Sequence, residues 1–198
     1  MISAGEMKQL EEICGIPRAM LMENAGKGVA EVLKQKLDVK NKRVLVVAYH
    51  GSNGGDGFVA ARHLCDDAEV DVLFVGDEGK LKGETLANFK KVESNEKLQI
   101  LDLEAVDFSD YDIIVDAILG TGVEGEIKDP LATLIRNLGK SKAFKVSIDV
   151  PSGVHPDTGE TANAYFEPDL LITMHDIKKG LLDYKDKTVV VDIGIRKN

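Results

Sequence analysis

The chain has 198 residues, room for one α/β domain with a full core and too few for two comfortable ones. Its 43% hydrophobic and 30% charged residues are ordinary for a soluble globular protein, and a formal net charge of −9 without a dense Lys/Arg cluster excludes a duplex nucleic-acid binder. No apolar run approaches the roughly 20 residues of a membrane span, the opening MISAGEMKQLEE lacks a secretion pattern, and Cys14 and Cys65 fit no zinc motif. A cytoplasmic protein with two buried, reduced thiols is expected.

The first 40 residues are helical in pattern. From Pro17 to about Lys36, Met22, Ala25, Val29 and Leu33 recur at spacings of three and four, giving one apolar face. This segment is expected to pack on the flank of a single domain spanning residues 1–198. Arg43–Tyr49 (RVLVVAY) is a nearly continuous apolar strand, expected at the centre of a sheet covered on both faces. A helix over Gly57–Cys65 follows, then a strand at Val70–Val75, a weaker helix at Lys80–Lys91, and strands at Leu98–Leu103 and Asp112–Val115. Asp129-Pro130 predicts a helix start, with Asp at the N-cap and Pro at the first helical position. Phe144–Val150, Leu170–Met174 and Thr188–Ile193 complete the strands, the last also expected to be central. Alternation of this kind predicts a mostly parallel sheet in a three-layer, Rossmann-like αβα arrangement.

In such a sheet, ligands bind beyond the carboxyl ends of the strands, and four segments there carry unusual residues. Gly51 to Gly57 (GSNGGDG) permits close backbone approach and feeds a helix start, which favours an anion. Val in place of Gly54 or Gly55 is therefore expected to impair binding and spare the fold, and Asp56 is expected to cap the helix. Gly120, Gly122 and Gly125 satisfy GxGxxG, but the next helix start waits until Asp129-Pro130, so a phosphate or ribose contact is favoured over a true dinucleotide fingerprint. Asp149 leaves an apolar strand just before Pro151; it is either a functional carboxylate or a structural cap. Lys178 or Lys179 could neutralise a phosphate or form a solvated pair, and His175 is assigned no role.

Taken in order, these motifs resemble a known family. EM…LE…GIP…LMENAG within residues 6–26, GSNGGDGFVAARHL (51–64), DAILGTGVEGE (116–126), SIDVPSGV (147–154) and KKGL (178–181) are similar to the YjeF N-terminal domain family, the NAD(P)H-hydrate epimerases. The resemblance implies a reaction that interconverts the C6 epimers of hydrated NADH and NADPH. It implies substrate contacts by Ser52, Asn53, Gly54, Gly55 and Asp56, by Gly120, Thr121, Gly122, Val123, Glu124, Gly125 and Glu126, and by Asp149. It also implies a potassium ion held by Asn53, Asp116 and Ser152, whose oxygens suit a hard cation. A homodimer is expected, and repair of the cofactor would need a separate dehydratase. Ser52 departs from the family's usual Asn and puts one substrate contact in doubt.

Asp149 is the expected acid/base, acting at a hemiaminal carbon either through loss and return of water or through ring opening. A non-catalytic nucleotide-binding or scaffolding module would be marked by loss of Asp149 or Asn53, and both are present. An NAD-dependent oxidoreductase is disfavoured, because no hydride-transfer set accompanies the glycines.

Overall fold

The computed structural model describes residues 1–122 and 125–196. Seven parallel strands form one sheet: β1 (Arg43–Ala48), β2 (Glu69–Phe74), β3 (Leu98–Leu101), β4 (Ile113–Ala117), β5 (Phe144–Ile148), β6 (Leu170–Met174) and β7 (Thr188–Val191). Their order is β3-β2-β1-β4-β5-β6-β7. The direction of winding reverses between β1 and β4, where Val44 pairs with Val70 on one side and Ile113 on the other. That reversal opens a crevice at the strands' carboxyl ends.

β1 shows why the sheet is covered on both faces. Val44, Val46 and Ala48 point into one apolar core, while Leu45 and Val47 point into the other. The first core also takes Leu33 of α2 (Arg18–Lys36), Phe58 and Leu64 of α3 (Ser52–Leu64), and Phe89 of α4 (Gly83–Glu93). The second takes Ile135 and Leu138 of α5 (Leu131–Gly139). The result is a three-layer αβα sandwich. Helix α1 (Ala4–Ile13) starts at Ser3 with a full capping box, in which the Ser3 side chain and Glu6 each satisfy the other's backbone N–H. It joins the first core through Met7, and Ile2 bridges to Lys178 beyond β6.

Four expectations need correction. Thr188–Ile193 is not central: β7 is an edge strand, and Val190 is 37% exposed. The helix expected from Gly57 begins at Ser52, so the glycines form its first turns rather than a loop before it. They belong there because their close neighbours leave no room for a Cβ. A Cβ on Gly54 would collide with the carbonyl oxygen of Tyr49, and one on Gly55 with the Met22 side chain. The start at Asp129-Pro130 is displaced, with α5 opening at Leu131 and Pro130 as its flanking residue. Asp129 still does the capping, accepting from the Thr133 N–H at 3.1 Å and from its hydroxyl at 2.6 Å. Cys14 and Cys65 are unpaired as expected but only half-buried. Among the described residues, no helix is long and apolar enough to cross a membrane.

Candidate functional site

All four singled-out segments lie at the carboxyl ends of the strands, around a cavity of about 670 Å³. Ser52, Asn53 and Asp56 line it from α3, Gly120, Thr121 and Gly122 from the segment after β4, Asp149 from the end of β5, and Lys178 from beyond β6. Glu11 of α1 closes one side. Gly54 and Gly55 are buried behind this wall, and Asp116 and Ser152 lie wholly buried. Gly125 and Glu126 are exposed, while Val123 and Glu124 fall outside the described residues.

Asp149 sits one residue past β5 with φ of 63°, a left-handed conformation that Asp tolerates better than most residues. Strain of this type gathers at functional sites. The conformation turns the carboxylate toward β6, where its Oδ1 accepts bonds from the Thr173 hydroxyl and the Met174 N–H, both at 3.1 Å, and from the Lys178 ammonium. Oδ2 takes none of the three. The Lys178 side chain is fully buried and also donates to Thr173 Oγ1 at 3.0 Å and the Met174 carbonyl at 3.1 Å. All three ammonium donors are thereby used, so Lys178 is the partner of Asp149 and not a free phosphate ligand. Lys179 is exposed and paired with Glu6 at 2.8 Å, leaving it no part in the cavity. His175, also left-handed at φ 64°, is buried, and its Nδ1 has no partner among the described residues.

Asp56 is not a helix cap. It lies inside α3, whose N-cap is Gly51 without a side-chain bond. Its remaining exposed surface lines the cavity. Burial, reinforced by the negative charges of Asp149 and Glu11, pushes its carboxyl well above the usual carboxylate range. Burial, with Asp149 second, also raises Glu11. Three carboxyls therefore face one buried ammonium.

A raised carboxyl binds its proton more tightly in the folded chain than in the unfolded one. The stability it contributes is full below the ordinary carboxylate range and is lost as pH rises through the raised value. Asp56→Asn removes that loss. The variant should melt above the parent, with a gap that widens from about pH 4 upward, where unfolded Asp ionises. Thermal melts across pH test this, and a gap that does not change with pH would contradict it.

Asn53, Asp116 and Ser152 meet beneath the cavity. The Ser152 hydroxyl donates to Asp116 Oδ1 at 2.5 Å and its N–H to Oδ2 at 2.8 Å. Leu119 joins the third residue: its N–H donates to Ser152 Oγ at 2.9 Å, and its carbonyl accepts Asn53 Nδ2 at 2.9 Å. Among the described residues, Asn53 Oδ1 is buried with no hydrogen-bond partner. Asp116 accepts only from neutral groups, Ser147 and Ile118 being the others, and burial raises its carboxyl. An orphaned amide oxygen beside a buried carboxylate fits a hard monovalent cation.

Sequence reasoning missed Glu11 and the burial of Lys178. Glu11 had a faint signal, since it follows Met7 by four residues and so shares its inward helix face. Nothing local marks Lys178 as buried and Lys179 as exposed, because the bridge to Ile2 decides it.

A doubly covered parallel sheet with a ligand cavity at its switch point defines a Rossmann-like αβα protein. Residues 18–180 match the family described as YjeF-related protein N-terminus, and the chain belongs to it. It is 38% identical to the NAD(P)H-hydrate epimerase of Nitrosopumilus maritimus over 88% of this chain and 83% of that protein. Identity to the NAD(P)H-hydrate epimerase of Cenarchaeum symbiosum is 36%, covering 98% and 95% of the two chains. The bifunctional NAD(P)H-hydrate repair enzyme of Methanothermobacter thermautotrophicus is 39% identical, and the chain spans 38% of its length. The crystal structure of the yeast protein YNL200c superposes with a TM-score of 0.83 at 25% identity, covering 100% of this chain and 89% of that one.

Proposed function

We propose that this protein is an isomerase, an NAD(P)H-hydrate epimerase that inverts C6 of hydrated NADH and NADPH. The observation that carries the proposal is Asp149, strained at the end of β5, bound through Oδ1 and lining the cavity with Lys178 and Asp56. The names of relatives similar along nearly the whole chain support it. C6 of the hydrate bears a hydroxyl and the ring nitrogen. When a proton reaches the hydroxyl, water leaves and the nitrogen lone pair forms an iminium. Water then adds to the other face and gives up a proton, so composition is unchanged. Asp56, whose burial favours the protonated form, supplies a proton, and Asp149 takes one from the incoming water; the reverse reaction exchanges their roles. Ring opening, rotation and reclosure would use the same two carboxyls.

Substrate contacts are assigned to Ser52, Asn53, Asp56, Gly120, Thr121, Gly122 and Asp149, all of which line the cavity. The negative phosphates need local donors in a chain of net charge −9, and the first N–H groups of α3 provide them. The chain is taken as a cytosolic enzyme acting together with a dehydratase activity, and as a homodimer, for which the exposed Ile13 of α1 and Met20 of α2 are available.

A mixture of both epimers plus a (6S)-specific dehydratase tests the activity. Added protein should allow complete recovery of reduced cofactor. Consumption that halts when the S epimer is exhausted would refute the assignment, given slow spontaneous epimerisation.

A potassium ion is proposed at Asn53, Asp116 and Ser152, where it would neutralise the buried carboxylate and order the segments that carry the site. Exchanging potassium for tetramethylammonium should lower Tm by roughly 5–10 °C when potassium stands near a hundredfold over its Kd. Asn53→Ala should abolish most of that difference. An identical Tm in both salts would remove the ion from the proposal.

A further inference from the structure

The segment that carries Lys178 is gripped by two others. Ile2 pairs with it as a strand would, its N–H donating to the Ile177 carbonyl at 3.0 Å and its carbonyl accepting the Lys179 N–H at 3.1 Å. The backbone of Lys178 is thereby held on both sides. The loop between β5 and β6 makes the second grip. The Gly180 N–H donates to the Pro156 carbonyl at 2.8 Å, and a Cβ on Gly180 would collide with the backbone of Gly159. One side chain joins the two grips. Asp157 Oδ1 accepts the Ala4 N–H at 2.8 Å, one of the donors that a helix start leaves without an internal partner. Asp157 is itself fixed, because His155 Nδ1 accepts its N–H and that of Thr158, both at 3.2 Å.

We infer that Asp157 is a positioning residue for the Asp149–Lys178 pair: by tying the start of α1 to the β5–β6 loop, it sets the pairing of Ile2 with Lys178 and so the place of the ammonium against Asp149. Its catalytic consequence rests on the activity proposed above. Asp157 does not itself line the cavity, whereas α1 supplies Met7, Lys8 and Glu11 to the wall. That helix has little else to hold it, since Met7 is the one buried residue among its ten. Its seat depends on its ends. The other side-chain tie between these segments, Glu6 to Lys179 at 2.8 Å, is exposed on both partners, and exposed pairs contribute little. The bond from Ala4 to Asp157 is partly buried and accepted by a charged group, which makes it about twice as strong as a neutral one. A shift of α1 carries Ile2 with it, and Ile2 carries the backbone of Lys178.

Asp157→Ala should lower kcat roughly tenfold or more and leave KM within about threefold, since misplacing a reacting group by about 1 Å can cost about 10²-fold. Asp157→Asn keeps an acceptor for the Ala4 N–H and should return kcat to within about threefold of the parent. Asp107→Ala controls for stability alone. It removes a similar cap, on the Ser109 N–H at 2.9 Å, from a residue outside the cavity wall, and should leave kcat unchanged. Hydrogen exchange read by mass spectrometry tests the placement without turnover. In Asp157→Ala, exchange should rise in residues 1–13 and also in 173–181, where Asp149 Oδ1 holds the Met174 N–H and Ile2 that of Lys179. Asp157→Asn should restore protection in both. Protection kept at 173–181 in Asp157→Ala would overturn the inference, as would an unchanged kcat or a loss that asparagine does not repair. If the parent turns over no hydrate, the epimerase assignment fails by itself. Exchange then decides the placement: a rise in both segments, repaired by asparagine, supports it, and anything less ends it.

Discussion

Asp149→Asn should lower turnover by roughly 10²-fold or more while the protein still folds and binds its substrate, because well-placed acid/base groups contribute about 10²–10⁴-fold. Asparagine tolerates the left-handed backbone at φ 63° and can accept the Met174 N–H and Thr173 hydroxyl as aspartate does. What it removes is the exchangeable proton and the charge opposite Lys178. Stability will therefore fall as well, since breaking a buried ion pair commonly costs about 3–5 kcal/mol. Lys178 moderates that loss, because Thr173 Oγ1 and the Met174 carbonyl still accept its donors. A companion variant separates the two effects. Adding Lys178→Met to Asp149→Asn deletes the stranded ammonium and should recover melting temperature without recovering turnover. A single variant within about threefold of the parent rate would make Asp149 a structural residue, the general acid/base contribution being far larger than that.

Gly54→Val should damage the fold itself, contrary to what the glycine-rich segment implies when taken as a ligand loop. Gly54 is buried in the first turn of α3, directly against the Tyr49 carbonyl. The obstacle is backbone at the end of a central strand, so it cannot rotate away as a side chain would. Overpacking costs typically 1–3 kcal/mol and more where nothing yields, and at 2–4 °C per kcal/mol for a chain of this size a drop of roughly 6–12 °C is expected. Gly55→Val meets the flexible Met22 side chain and should cost less. Equal melting temperatures for Gly54→Val and the parent, with ligand affinity lost, would restore the view of these glycines as a binding surface.

The strands were legible because β-branched runs bounded by turn residues have few alternatives, and all seven lie within two residues of their expected ends. The position of β7 was not legible. Its apolar composition reads as central, yet it pairs only with β6, and which strand ends a sheet is decided by crossover connections. The start of α3 was misjudged for a related reason. Glycine has low helix propensity, so GSNGGDG reads as a loop, but close packing of backbone on backbone needs the absent Cβ and overrides propensity.

By itself the sequence determined the fold class, the family and the four segments that carry the site, since each is written in local pattern or motif. Tertiary structure decided what those residues do. It buried Lys178 beside Asp149 and left its neighbour Lys179 on the surface with Glu6. It placed Asp56 on the cavity wall with Glu11, where burial, and after it the negative charge of Asp149, raises both carboxyls. It joined Asn53, Asp116 and Ser152 through the backbone of Leu119. The physical reason is common to all three: desolvation and pairing depend on which groups stand within a few ångströms, and here those groups are separated by up to 173 residues of chain, a distance that local pattern does not encode.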